Sequence, residues 1–122
     1  MRPSTWIAIG ALSGALTVAL GAFGAYALEE AVPPEDLAIW QTAVLYQGLH
    51  ALALVLFGLY QHVRPRPCLG GWGFLLGSAI FSGTLYAMVL GAPRWLGAIT
   101  PIGGTLLIVG WLAFAWSAWR AR

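Results

Sequence analysis

The chain has 122 residues, of which 60% are hydrophobic and 8% charged, with a formal net charge of +2. A water-soluble domain carries about 25% charged residues and needs polar groups to cover its surface, so this composition excludes an ordinary soluble fold. Charges this few and scattered also exclude a nucleic-acid-binding face, and the single Cys68 excludes an internal disulfide or a cysteine-based metal centre.

The first apolar stretch runs roughly from Trp6 to Leu28. Gly10, Gly14, Thr17, Gly21 and Gly24 follow at spacings of four, three, four and three, which puts them on one helical stripe. Helices in lipid gain little from the hydrophobic effect and associate where small residues let backbones approach, so the stripe predicts a helix–helix seam. Ala25-Tyr26-Ala27 mimics a signal-peptide cleavage site, but the apolar run exceeds the usual h-region of about 7–15 residues. The stretch is therefore read as a retained span.

Pro33-Pro34 stops that helix, and Glu35-Asp36 suits the N-terminal dipole of the next, which runs roughly from Leu37 to Tyr60. Thr42, Tyr46 and His50 recur at intervals of four, and Gln47 lies three before His50, so all four are expected on one stripe. His50 falls near the middle of the span. An ionisable residue at that depth suggests a proton relay or ligand site. It is also the kind of residue that, kept neutral, hydrogen-bonds a neighbouring helix and fixes the packing. Proton relays generally pair such a residue with Asp or Glu, and no span here contains one.

His62 to Cys68 reads HVRPRPC, a turn that cannot be helical. Cys68 is expected to be a spectator thiol. The third stretch, about Leu69 to Gly91, carries Gly70, Gly73 and Gly77, with Ser78 and Ser82 on neighbouring turns. Leu12-Ser13-Gly14-Ala15-Leu16 is echoed by Phe81-Ser82-Gly83-Thr84-Leu85, as a duplicated helical hairpin would produce. Ala92-Pro93-Arg94 closes this helix. The fourth stretch, about Leu96 to Trp119, opens on Thr100-Pro101-Ile102-Gly103-Gly104, a signal for a break or kink, and places Gly103 and Gly110 seven apart.

Each stretch is about 23 residues long, which at ~1.5 Å per residue crosses a hydrocarbon core ~30 Å thick. Short loops between them predict an all-α, integral membrane four-helix up-down bundle, with residues 1–122 forming a single transmembrane domain. Arg2, Arg64, Arg66, Arg120 and Arg122 fall on one side of the membrane, and Arg94 with all four acids on the other. The positive-inside rule then places both termini in the cytoplasm. Trp40, Trp72, Trp95, Trp116 and Trp119 lie near helix ends, where an aromatic belt would put them.

The candidate functional feature is a polar intramembrane cluster of Thr42, Tyr46, Gln47, His50, Ser82, Tyr86 and Thr100, opening towards the outer face. The candidate packing residues are Gly10, Gly14, Gly21, Gly24, Gly103 and Gly110. No nucleophile elbow, metal-ligand spacing or phosphate loop is present, so no catalytic residue, metal or cofactor is expected.

Several segments carry a resemblance. Gly21-Ala22-Phe23-Gly24-Ala25 is one, and Thr42-Ala43-Val44 through Tyr46 to His50-Ala51-Leu52-Ala53-Leu54 is a second. Phe81 to Tyr86, Leu96 to Gly104 with its Ile-Thr-Pro-Ile-Gly-Gly run, and Gly110-Trp111 complete the set. With them the chain resembles the small bacterial membrane proteins of the YgdD and YwdK type, a family that has a eukaryotic transmembrane relative and no established activity. The resemblance spans nearly the whole chain and implies four spans in a bacterial cytoplasmic (inner) membrane. The family usually has histidine after GAFGA; Tyr26 stands there instead, so either that histidine is dispensable or tyrosine replaces it.

Two functional readings follow. In the first, a non-enzymatic bundle acts through contacts with the lipid bilayer, a second copy of itself or another membrane protein. In the second, a small oligomeric channel or transporter carries a polar path around His50. Four helices rarely enclose a pathway alone, so the second reading requires a symmetric oligomer.

Overall fold

The computed structural model describes residues 1–120 and is helical almost throughout. Four helices are long and apolar enough to cross a membrane. The first, α1 (Pro3–Phe23), starts with proline in its first turn, where the missing N–H costs nothing. It runs into one π-helical turn, Gly24–Leu28. The change of register has a visible cause. The indole N–H of Trp40 donates to the Leu20 carbonyl at 2.8 Å, taking a share of an acceptor that the α-helical ladder would otherwise use.

The second helix, α2 (Pro34–Val63), begins at the proline pair with Glu35 and Asp36 in its first turn and ends at Arg64, the residue before Pro65. Then comes α3 (Gly70–Val89). It ends in a Schellman closure: Gly91 adopts φ 112°, and the amides of Gly91 and Ala92 reach back to the Met88 and Ala87 carbonyls at 3.2 and 2.9 Å. A 3₁₀ turn, Arg94–Ala98, leads into α4 (Thr100–Arg120). The expected span from Leu96 is thus broken at Ile99. Pro101 sits in the first turn of α4 rather than in a kink, because that is where proline disturbs no hydrogen bond.

Two helical hairpins result, each closed on glycine. On α1, a Cβ at Gly10 would stand 2.8 Å from the Ala51 carbonyl oxygen, and α2 answers with Gly48 against Thr17 and Gly58 against the Pro3 carbonyl. Between α3 and α4, Gly73 meets the Gly110 backbone, Gly77 meets Leu107, and Gly103 lies directly on the Phe81 backbone. A Cβ at Gly24 would stand 2.6 Å from the Trp40 ring, and one at Gly21 would make an ordinary contact with Val44 at 3.4 Å. Gly14 differs from the others. Nothing lies within 4 Å of the place its Cβ would occupy, so the α1 seam does not continue through it.

The hairpins meet along α2 and α3 through a different chemistry, aromatic and hydrogen-bonded. Trp6, Ala53, Leu54, Phe57 and Phe74 form one buried cluster and Leu28, Trp40 and Val89 another. Tyr86 packs at a tilt against Trp40 at 4.6 Å, and Phe114 of α4 packs edge-on to Phe57 at 5.5 Å. α1 runs along α2, α2 along α3, and α3 along α4, leaving α1 and α4 at the two flanks. Trp40 is 1% exposed, so it is a core residue and not part of an interfacial belt; Trp72, Trp95, Trp116 and Trp119 remain exposed. Large apolar side chains such as Leu12, Val18, Leu45, Leu52 and Ile108 cover the outside, a surface suited to lipid.

Candidate functional site: polar ties between the spans

The buried edge of α2 reads Trp40, Ala43, Gln47, His50, Leu54, Phe57 and Gln61, alternating intervals of three and four. That alternation keeps residues on one side of a helix, whereas repeated steps of four drift by about 40° each at 3.6 residues per turn. The drift explains why Thr42 lies outside the environment of His50 and why Tyr46, although its ring stacks on the imidazole at 6.3 Å, sits at the edge of that face. Thr42 is exposed and donates to the Ala38 carbonyl of its own helix at 3.0 Å. Tyr46 is 38% exposed, its ring lying 4.7 Å from that of Phe81.

His50 is 2% exposed and both its ring nitrogens have partners. Nδ1 lies 2.7 Å from the Tyr46 carbonyl oxygen, and the Trp111 indole N–H donates to Nε2 at 2.9 Å. An indole N–H can only donate. The Nε2 atom must therefore be bare and the single proton must sit on Nδ1, where it bonds the Tyr46 carbonyl. An imidazolium in this place would set N–H against N–H. The ring is thus built in as a neutral strut from α2 to α4, packed beside Phe74 at 5.9 Å.

Gln47 ties the other flank. Tyr86 of α3 donates its hydroxyl to Gln47 Oε1 at 2.6 Å, and Gln47 Nε2 points to the Ser13 carbonyl and hydroxyl of α1 at 3.4 and 3.5 Å. One turn along, the Ser82 hydroxyl donates to the Ala43 carbonyl at 2.8 Å. The two serines of the internal echo, Ser13 of α1 and Ser82 of α3, thus both bond to α2. Thr100 lies apart from these groups and pairs with Thr84 at 2.6 Å, joining α4 to α3.

Two lateral recesses flank these ties. One, of about 390 Å³, lies between α1 and α3 and is lined by Ser13, Leu16, Gln47, Ser78, Ser82 and Tyr86. The other, of about 460 Å³, lies between α2 and α4 beside Tyr46, His50, Phe81, Pro101 and Trp111. The expected seven-residue cluster is therefore distributed over separate places: Gln47, Ser82 and Tyr86 on the α1/α3 side, His50 and Tyr46 on the α4 side, Thr100 with Thr84, and Thr42 outside. Among the described residues no three histidine, cysteine or acidic side chains gather as a metal centre would require. Tyr26, at the position where the resembled family has histidine, is 90% exposed and touches none of these groups.

Trp111, Ser13 and Thr84 were not anticipated as members. Trp111 did leave a signal. A tryptophan in the middle of a span is away from the interface that tryptophans prefer, and its N–H needs a buried acceptor.

The family described as "Protein of unknown function (DUF423)" matches residues 20–104. Over 108 residues, 88% of both chains, the sequence is 43% identical to a UPF0382 membrane protein of Staphylococcus epidermidis. It is 37% identical over 110 residues to the UPF0382 membrane protein YwdK of Bacillus subtilis, covering 88% of this chain and 89% of that one. With a UPF0382 membrane protein of Haemophilus influenzae it shares 36% identity over 120 residues, 96% of this chain and 95% of the other. No solved structure matches. A four-span helical architecture together with these matches makes the chain a member of the DUF423 family of UPF0382 membrane proteins, whose biochemical function is unknown.

Proposed function

We propose that this is a non-catalytic bundle of the bacterial cytoplasmic membrane, with both termini cytoplasmic, that acts through contacts of its outer faces with lipid or with another membrane protein. The observation that carries the reading is the double occupancy of His50: one ring nitrogen is bonded to the Tyr46 carbonyl and the other to the Trp111 indole. A proton relay needs a nitrogen that can take up and release a proton towards water, and this ring has neither nitrogen spare. Gln47, Tyr86 and Ser82 are likewise used in bonds between helices. The flanking helices α1 and α4 keep large apolar surfaces turned outward, which suits contact with acyl chains or a partner helix. The concentration of arginine at one end supports the orientation.

Reconstitution in liposomes with an imposed ion gradient tests it. Wild type and His50→Ala are expected to give the same flux as protein-free vesicles, while the variant unfolds at a lower temperature. A wild-type flux above that background, abolished by His50→Ala, would replace this reading with the oligomeric channel.

A further inference from the structure

The arginine-rich end carries a second feature, independent of the ties inside the membrane. A recess of about 530 Å³ opens there between the α2–α3 loop and the last turn of α4, lined by Arg66, Trp116, Trp119 and Arg120. Arg66 is held in place by its backbone. Its amide donates to Gln61 Oε1 at 3.1 Å, and Gln61 is itself 8% exposed. Pro65 and Pro67 on either side restrict the loop further. Across the recess the Arg120 guanidinium lies over the Trp116 ring at 5.8 Å, with Trp119 one turn away.

No acid stands at this end. Glu29, Glu30, Glu35 and Asp36 all belong to the opposite end, where Asp36 pairs with Arg94 at 3.1 Å. Among the described residues two arginines thus line one recess with no acidic side chain beside them, bordered by indoles, at the level where a helix leaves the hydrocarbon. Guanidinium forks match phosphate oxygens, and tryptophan rings settle at headgroup depth. We propose that this recess binds the phosphodiester headgroup of an anionic phospholipid in the leaflet on the arginine-rich side, with Arg66 and Arg120 on the phosphate and Trp116 and Trp119 against the glycerol and upper acyl region. The assignment holds whether or not His50 is purely structural.

The test is native mass spectrometry of the full chain in neutral detergent given equimolar phosphatidylglycerol and phosphatidylcholine. Wild type should retain phosphatidylglycerol in preference, on the order of thirtyfold for two arginines. Arg66→Gln with Arg120→Gln should bring the two lipids to parity. Arg2→Gln with Arg64→Gln removes the same charge from the same end and should leave most of the preference. Absence of a wild-type preference, its survival in the first double variant, or an equal loss in both double variants would overturn the site, the last by showing general charge attraction alone. Millimolar inorganic phosphate should not displace the lipid; full displacement would assign the recess to a free anion instead.

Discussion

The residue that organises the interior is His50, because its ring hydrogen-bonds α2 to α4, which otherwise meet through Phe114 against Phe57 and Tyr60. Replacing it by alanine removes both bonds and leaves the Trp111 N–H without this acceptor, a loss of about 1–3 kcal/mol. A double-mutant cycle of His50→Ala and Trp111→Phe, read by unfolding in detergent, should show a coupling of about 1 kcal/mol, in the range of interhelical hydrogen bonds in lipid. Additive effects would mean that the bond contributes nothing. His50 and Gln47 were legible in the sequence, since polar side chains inside an apolar span stand out. Tyr86, which bonds Gln47, was also in the expected cluster, but the remaining partners were not legible. The Ser13 and Tyr46 carbonyls are backbone groups, and no pattern of side chains announces them. Thr42 was misplaced because intervals of four suggest a straight stripe, while the helix rotates beneath it.

At the scale of helices, the glycines divide by what they touch. Gly103 lies against the Phe81 backbone, which cannot step aside as a flexible side chain would. Gly103→Ala should therefore destabilise by about 1–3 kcal/mol through forced separation of α3 and α4. Gly14→Ala meets nothing within 4 Å and should stabilise by up to about 1 kcal/mol through helix propensity. Thermal unfolding of the two variants checks the opposite signs. The last turns of α4 offer a third case. Ser117 Oγ is buried without a partner among the described residues, and the carbonyl four residues back, Ala113, already receives the Cys68 thiol at 3.6 Å. Ser117→Ala should raise the unfolding midpoint by the equivalent of about 1 kcal/mol, since it removes an unsatisfied hydroxyl. That the chain forms four apolar helices could be read from apolar length and proline. Which glycines form seams could not, because the spacing of Gly14 is as regular as that of Gly10. Only the facing helix separates them.

For the whole molecule, short loops correctly implied antiparallel neighbours in chain order. They did not reveal that the neighbours come as two glycine-closed hairpins joined by an aromatic and polar seam, with α1 and α4 left at the flanks. That arrangement depends on Trp40, Phe57, Phe74 and Tyr86 meeting side by side, which no local pattern encodes. The placement of charge gives the molecule a direction. Cysteines introduced at Glu30 and at Arg66 in a Cys68→Ser background should label from opposite sides of intact cells, with Glu30→Cys reacting from outside. The central claim is that the polar groups inside the bilayer are struts and not a path, and the protonation pattern of His50 tests it most directly. In lipid bilayers at neutral pH, with His62→Asn so that one imidazole reports, nitrogen-15 solid-state spectra should show a protonated Nδ1 and a bare Nε2. A ring protonated at Nε2, or at both nitrogens, would contradict the account and return His50 to the candidates for proton transfer.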